Sequence, residues 1–339
     1  MQTHLFHYSQ PFILESGATL PGFTLAYATA GKLNARKDNV VWFCHALTAN
    51  AVVSEWWPGM IGEGLLFDPD RDFLICANMP GSCYGSTHAL SINPETGLPF
   101  YHSFPHLTNR DIAATFNLLR IHLEIPQIKL ILGGSLGGQQ ALEWAVMCPD
   151  VFDYLVPIAT NAQHSPWGIA FNEAQRLAIQ ADQSWKKNAP DAGLEGMRAA
   201  RSVALLSYRG YTAYGSTQNE PDDEKTDDFR ASSYQRYQGD KLVKRFHAFA
   251  YWTLSKAMDS HNLGRGRGGI ENALQKIKAK TLVIGLDSDI LFPPEEQKLL
   301  ASLIPDAIYR EISSPYGHDG FLIETEKLTK LIREFLWSE

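Results

Sequence analysis

Short apolar runs recur along this chain, separated by polar or glycine-rich segments. Two of them, residues 40–44 (VVWFC) and 73–77 (FLICA), are apolar at every position, which is typical of strands buried on both faces of a parallel sheet. Residues 112, 116, 119 and 123 form an apolar stripe at helical spacing, and residues 324–337 form an amphipathic helix. Further strand patterns occupy residues 12–14, 23–28, 154–158, 281–285 and 307–312. This alternation predicts an α/β fold with a mostly parallel central sheet.

The pattern changes between residues 161 and 256, where no convincing strand pattern occurs. Helical windows are present instead, for example at residues 171–180 and 197–207. We expect a mostly helical insertion that covers the site as a lid. The predicted organisation is therefore a core of residues 1–160 and 257–339 with a helical lid domain of residues 161–256.

Composition narrows the class of protein. The 339 residues are 45% hydrophobic, enough for a large core, yet no run of about 18 apolar residues is present to cross a membrane. The first residues lack the basic and apolar regions of a signal peptide, so we expect a cytoplasmic protein. A net charge of −7 provides no basic surface for nucleic acid. The four cysteines include no C-x-x-C pair, so a disulfide framework is not expected. These features favour a small-molecule enzyme or binding protein.

Residues 129–145 (KLILGGSLGGQQALEWA) carry the most informative motif. An apolar strand pattern leads into Gly133-x-Ser135-x-Gly137 and then directly into a helical pattern. So sharp a turn needs glycines, because residues without Cβ tolerate unusual backbone angles and close contacts. The same spacing defines a nucleophile elbow, which presents a serine hydroxyl at the top of an α/β sheet. Short glycine motifs also arise by chance, so the rest of the chain has to supply partners for the serine.

A serine nucleophile needs a base to accept its proton and an acid to orient that base. In α/β-hydrolases the acid and then the histidine follow the serine along the chain. Of eleven histidines, His318 alone falls in the required loop, after the strand pattern at 307–312. Asp287 and Asp289 both follow the preceding strand, and we prefer Asp289 because it lies nearer the turn that enters residues 291–294. The other aspartate would form a turn or join a hydrogen-bond network.

The loop after the run at 40–44 reads His45-Ala46-Leu47-Thr48. In α/β-hydrolases the loop after this strand supplies one backbone N–H group of the oxyanion hole. We expect Leu47 to be that donor, with Thr48 as the alternative. The plain alternative is an ordinary exit from the strand.

Over nearly its full length the chain resembles the homoserine O-acetyltransferase family, the MetX-type acyltransferases of the α/β-hydrolase superfamily. The HALT loop, the NEAQR helix and the Gly-His-Asp sequence near the end distinguish this resemblance from one to generic esterases. The matching stretches include CHALTAN (44–50), ANMPGSCYGST (77–87), GGSLGGQQALEWA (133–145), FNEAQRLAI (171–179), DSDILFPPEEQ (287–297) and GHDGF (317–321).

The resemblance implies an α/β-hydrolase fold and a ping-pong transfer of an acyl group from an acyl-coenzyme A. The commonest pairing in the family is acetyl-CoA with L-homoserine, in methionine biosynthesis. Ser135 would carry the acyl group, with His318 as base and Asp289 as its orienting acid. Backbone N–H groups of Leu47 and Leu136 would hold the oxyanion. The resemblance further implies no permanently bound cofactor, no metal, and a homodimer formed through the lid helices.

The resemblance also assigns the groups that bind the amino acid. Arg176, in the NEAQR helix, would bind the carboxylate, because a guanidinium matches a carboxylate with two hydrogen bonds. Without the resemblance, Arg176 would be taken as a surface arginine on a helix. Asp319 would bind the ammonium group, or would only shape the turn or orient His318. Tyr208 or Tyr211 would lie in the same pocket.

The chain departs from the family pattern in two loops. His88-Ala89 stands where many relatives have Gly-Pro, and Ala49 stands where many have Gly. These departures leave open whether the donor carries acetyl or succinyl and whether the acceptor is homoserine or serine. An esterase or thioesterase with the same triad is the alternative enzyme, and a binding module without catalysis is the alternative of another class.

Overall fold

An eight-stranded sheet lies at the centre of the protein. The computed structural model describes residues 1–337, and in them the strands are β1 (Gln2–Tyr8), β2 (Phe12–Ile13), β3 (Thr19–Leu20), β4 (Phe23–Ala30), β5 (Val40–Cys44), β6 (Phe73–Ala77), β7 (Ile128–Gly134), β8 (Phe152–Ile158), β9 (Lys280–Leu286) and β10 (Ile308–Ile312). The sheet has the order β1-β4-β6-β5-β7-β8-β9-β10. Strand β4 pairs antiparallel with β1 and β6, and the pairs from β6 to β10 are parallel. Strands β2 and β3 form a separate small hairpin.

Helices connect the strands and cover the sheet. In the described chain they are α1 (Asn109–His122), α2 (Leu136–Met147), α3 (Pro166–Ala181), α4 (Leu194–Tyr208), α5 (Tyr211–Gln218), α6 (Arg230–Val243), α7 (Ala248–Asp259), α8 (Ile270–Leu274), α9 (Pro294–Leu303), α10 (Gly320–Ile323) and α11 (Thr325–Trp337). Among residues 1–337 no helix combines the length and the apolar character that crossing a membrane requires.

Apolar layers lie on both faces of the sheet. Successive side chains of β5 point to opposite faces, so Trp42 packs edge to face on Trp144 of α2 at 4.9 Å between ring centres, while Phe43 packs on Phe67 at 5.0 Å. Two separate clusters of buried side chains result, one including α1 and α2 and the other including α11. This double burial confirms the prediction drawn from the unbroken apolar runs.

Five helices, α3 to α7, precede the short helix α8 in the segment between β8 and β9. Helix α4 packs on both α3 and α6, and α7 packs on α3. A backbone bridge between Gln163 and Asn262 joins the two ends of this helical segment. The helices span residues 166 to 259. A separate lid domain with boundaries at 161 and 256 stays a prediction.

Candidate active site

Ser135 lies between the end of β7 and the start of α2, in a conformation that residues other than glycine rarely adopt. Its backbone angles are φ 58° and ψ −128°, and such strain persists only where the surroundings hold it. Here the Ser135 N–H donates to the Ile158 carbonyl at 3.0 Å, and the Thr160 hydroxyl donates to the Ser135 carbonyl at 2.9 Å. The result is the geometry of a nucleophile elbow.

Gly137 lets α2 begin in direct contact with the end of β5. A Cβ atom at this position would lie 2.1 Å from the carbonyl oxygen of Cys44. No side chain fits in that space, which explains the glycine. The elbow and the loop that follows β5 are therefore in backbone contact.

The structure brings Ser135, His318 and Asp289 together as a hydrogen-bonded chain. His318 Nε2 lies 2.8 Å from Ser135 Oγ, and His318 Nδ1 lies 2.6 Å from Asp289 Oδ2. The other carboxylate oxygen, Oδ1, accepts the backbone N–H groups of Leu291 and Phe292 at 2.8 and 2.9 Å. The side chains of Ser135, His318 and Asp289 are each at most 6% exposed. This geometry suits proton transfer from a serine to a histidine that a carboxylate orients.

Asp287, the other candidate acid, has a different position. It is exposed, and its Oδ1 accepts the backbone N–H of Ser314 at 2.9 Å. Burial raises the pKa of this carboxyl, but hydrogen bonds from Ser314 and Ser313 together lower the pKa by more. The net pKa is therefore below its ordinary value. Asp287 thus ties β9 to the loop that carries His318, as expected for a network residue.

A small cavity of about 70 Å³ opens beside Ser135. Leu47 and Thr48, the two predicted oxyanion donors, both line it. Leu136 opens helix α2, so its N–H has no acceptor inside the helix. The full lining consists of Ala46, Leu47, Thr48, Ser135, Arg201, Tyr208, His318, Asp319, Phe321 and Leu322.

Arg176 does not line this cavity, which corrects its predicted role. Its side chain is 2% exposed, and its guanidinium is already engaged by other groups. Nη2 lies 2.5 Å from Asp259 of α7 and 2.6 Å from Glu173, while Nη1 donates to Ser255. Because two carboxylates surround this guanidinium, it joins α3 to α7 and is not available to a substrate.

Arg201 is the cation that lines the cavity, and sequence reasoning missed it. It lies on α4 with its guanidinium 5.4 Å from the centre of the Tyr208 ring. No carboxylate among residues 1–337 lies within ion-pair distance of Arg201. The spacing of Arg201 and Tyr208 was a usable signal, because these residues are seven positions apart and residues seven apart lie on one face of a helix. Arg201 is therefore free to meet an anionic ligand.

Asp319 and Tyr208 complete the polar lining. Asp319 follows the predicted base directly, and its Oδ2 accepts Arg209 Nε at 3.1 Å. Tyr208 lines the cavity, and burial raises the pKa of its phenol, so it is neutral. Tyr211, the other tyrosine considered, is 95% exposed. The cavity thus places a cation and a carboxylate beside the same serine.

The two departures from the family pattern lie in loops outside the lining of the cavity. His88 Nδ1 lies 3.0 Å from the Ser91 hydroxyl, and its ring meets His247 edge to face at 4.9 Å. Ala89 is buried, and the N–H of Ala49 donates to Ala46. Neither loop position lines the cavity. Within residues 1–337 no three His, Cys, Asp or Glu side chains gather as a metal site would require.

Solved structures share this fold. The homoserine O-acetyltransferase of Bacillus anthracis superposes with a TM-score of 0.92 over 100% of this chain and 98% of that chain, at 24% identity. An acetylester hydrolase of Corynebacterium glutamicum gives 0.88 over 99% and 96%, at 22% identity. At these identities the likeness shows the fold alone, and the fold is common to a transferase and an esterase.

Sequence comparison is more specific. The family model of the alpha/beta hydrolase fold matches residues 39–325, so the chain is an α/β-hydrolase-fold protein. The homoserine O-acetyltransferase of Cyclobacterium marinum is 51% identical over 335 residues, which are 99% of this chain and 95% of that protein. The chain therefore belongs to the homoserine O-acetyltransferase family. The resemblance inferred from the motifs is confirmed.

Proposed function

We propose that this enzyme transfers an acetyl group from acetyl-CoA to the hydroxyl of L-homoserine through an acyl-Ser135 intermediate. One observation carries the proposal beyond family membership. The cavity beside Ser135 and His318 is lined by a cation, Arg201, and a carboxylate, Asp319. An α-amino acid carries the complementary carboxylate and ammonium groups, whereas a simple ester carries neither.

In the first half-reaction Ser135 Oγ attacks the thioester carbonyl carbon while His318 Nε2 accepts its proton. Asp289 holds the imidazole in the tautomer that accepts at Nε2 and stabilises the resulting imidazolium. The oxyanion accepts hydrogen bonds from the N–H groups of Leu47 and Leu136. When the intermediate collapses, the carbon–sulfur bond breaks, and the leaving sulfur takes the proton from His318 to give coenzyme A.

In the second half-reaction the amino acid occupies the vacated cavity. Arg201 binds its carboxylate, because a guanidinium suits a carboxylate in geometry and charge. Asp319 binds its ammonium group. The side-chain hydroxyl loses its proton to His318 and attacks the acetyl ester. Collapse of the second intermediate releases the O-acetyl amino acid and returns the proton to Ser135.

The choice of acetyl over succinyl rests on the relatives, whose name is homoserine O-acetyltransferase. The product belongs to methionine biosynthesis, as the family name implies. We further propose that the protein forms a homodimer through helices of residues 166–259 and that it is located in the cytoplasm.

The test follows free thiol while acetyl-CoA is mixed with enzyme, with and without L-homoserine. We expect homoserine to accelerate thiol release and O-acetylhomoserine to form, and we expect Ser135→Ala to abolish both. L-2-Aminobutyrate is the matched control, because it keeps the carboxylate and ammonium groups but lacks the hydroxyl. If homoserine leaves the rate unchanged and no product forms, the enzyme is a thioesterase or esterase and the proposal is wrong.

A further inference from the structure

His45 is a buried histidine that the mechanism above does not use. It follows β5 directly and is 0% exposed. Its Nδ1 lies 2.9 Å from the carbonyl oxygen of Ala46, and its Nε2 accepts the backbone N–H of Met79 at 3.4 Å. A carbonyl oxygen only accepts, so Nδ1 must carry the proton. Burial lowers the pKa of His45 to about 4, which keeps this neutral tautomer in place at neutral pH.

The bond to Ala46 fixes the direction of a peptide at the cavity. The Ala46 carbonyl and the Leu47 N–H belong to one planar trans peptide, so they point in opposite directions. With the carbonyl held by a ring inside the core, the N–H points away from the core. Within residues 1–337 the Leu47 N–H donates to no protein acceptor. It is therefore free to donate to an oxyanion.

The neighbouring peptide lacks such an anchor. Its N–H belongs to Thr48, the alternative donor, and in the described residues the Leu47 carbonyl accepts no protein hydrogen bond. The Ala46 carbonyl, in contrast, accepts a second bond from the Ala49 N–H at 3.1 Å. An N–H whose carbonyl partner accepts hydrogen bonds is also a stronger donor, because such bonds polarise the peptide. The anchoring thus selects Leu47 over Thr48.

The elbow helix holds His45 in turn. Gln140 of α2 donates its Nε2 to the His45 carbonyl at 3.3 Å. Together with the contact between Gly137 and Cys44, this bond aligns the start of α2, which carries the Leu136 N–H, with the loop that carries the Leu47 N–H. The two donors are thereby held relative to each other.

We propose that His45 is a positioning residue that directs the Leu47 N–H at the oxyanion formed on Ser135. The inference rests on the proposed function, because it requires that Ser135 becomes acylated. It does not require any particular acceptor. The relevant measurement is therefore the acylation half-reaction by itself.

The experiment measures the p-nitrophenol burst from p-nitrophenyl acetate in wild type and three His45 variants. Asparagine places an amide nitrogen where Nδ1 lies and keeps the bond to Ala46. Glutamine places its amide near Nε2, and leucine makes neither bond. We expect kcat for acylation to stay within about fivefold in His45→Asn and to fall by about 10²-fold in His45→Gln and His45→Leu, with KM within about twofold.

His261→Leu is the matched control for the loss of a buried histidine. His261 is 2% exposed, bonds to the Asn161 carbonyl at 3.0 Å and does not line the cavity. We expect this variant to lose thermal stability but to keep its burst rate per folded molecule.

Two results would overturn the inference by itself. One is a His45→Gln enzyme as fast as wild type, and another is equal loss in His45→Asn and His45→Gln, which would indicate packing alone. If His45→Leu does not fold, the comparison of asparagine with glutamine still decides. A wild type whose Ser135 takes up no acetyl group from p-nitrophenyl acetate, as measured by mass spectrometry of the protein, would instead refute acylation of Ser135, and the proposed function and this inference would fail together.

Discussion

Replacement of Asp289 by asparagine tests the direction of proton transfer in the triad. In the wild type, Oδ1 accepts the N–H groups of Leu291 and Phe292, and Oδ2 faces His318 Nδ1 at 2.6 Å. In the variant, those two donors keep the amide oxygen facing them, so the amide nitrogen faces Nδ1. His318 must then accept at Nδ1 and carry its proton on Nε2. That is the atom that has to accept the proton of Ser135.

The size of the effect follows from this wrong tautomer. Turning the amide round to restore the correct tautomer would point its nitrogen at two backbone donors, and each buried group left unsatisfied costs about 1–3 kcal/mol. We therefore expect the acylation rate of Asp289→Asn to fall by about 10⁴-fold, the loss that this substitution causes in a Ser-His-Asp site. At about 1.36 kcal/mol per tenfold, this equals about 5.4 kcal/mol of barrier.

The assay is the p-nitrophenol burst at matched folded concentration, with Asp287→Asn as the paired control. An asparagine at 287 still offers an oxygen to the Ser314 N–H, so we expect a loss of less than about tenfold there. Thermal melting confirms that both variants are folded. If Asp287→Asn loses as much as Asp289→Asn, or if Asp289→Asn keeps more than a few per cent of the rate, the assignment of the acid is wrong.

Two further predictions concern the acceptor and stability. Arg201→Gln should raise KM for homoserine by about 10- to 100-fold, because hydrogen bonds to charged groups contribute about 1.5–3 kcal/mol, while the burst stays unchanged. Arg198→Gln, on the same helix, is the control. An equal increase in KM in that variant would refute the binding of the substrate carboxylate by Arg201. Burial raises the pKa of Glu296 from 4.5 to about 7, so its contribution to stability is full below about pH 4.5 and is lost as pH rises through about 7. Glu296→Gln should flatten the decline of melting temperature between pH 5 and 8, and an unchanged slope would contradict this.

The strands predicted best were those buried on both faces. The bounds of β5 and β6 agree with the apolar runs at 40–44 and 73–77, because every position of β5 and every position of β6 after Phe73 is buried. Strand β1 was missed. It lies at the edge of the sheet, and most of its side chains are at least partly exposed, so its residues QTHLFHY carry little apolar signal. The apolar pattern of a strand reflects the burial of its side chains, and few side chains of this edge strand are buried.

The site was predicted where chain order constrains it and mispredicted where it does not. Ser135, Asp289 and His318 each follow a strand of a parallel sheet, so their loops must meet at one edge. The side of the cavity formed by α4 has no such rule, and neither does the position of Arg176 on α3. Arg176 is occupied by Asp259, a residue 83 positions later in the chain, and no local pattern reveals that pairing.

The contact between Gly137 and the Cys44 carbonyl holds the nucleophile elbow and the loop after β5 together. The helix that lines the other side of the cavity takes no part in this contact and can change independently. Ser135 and the loop of Leu47 follow the adjacent parallel strands β7 and β5, and the contact between Gly137 and Cys44 sets their spacing by backbone against backbone, where no side chain fits. Arg201 and Tyr208 sit on helix α4, outside that block. Mutation there can exchange one acceptor for another, or for water, without disturbing the nucleophile. Acetyltransferases and acetylester hydrolases can therefore diverge on one scaffold through changes confined to helices outside that block.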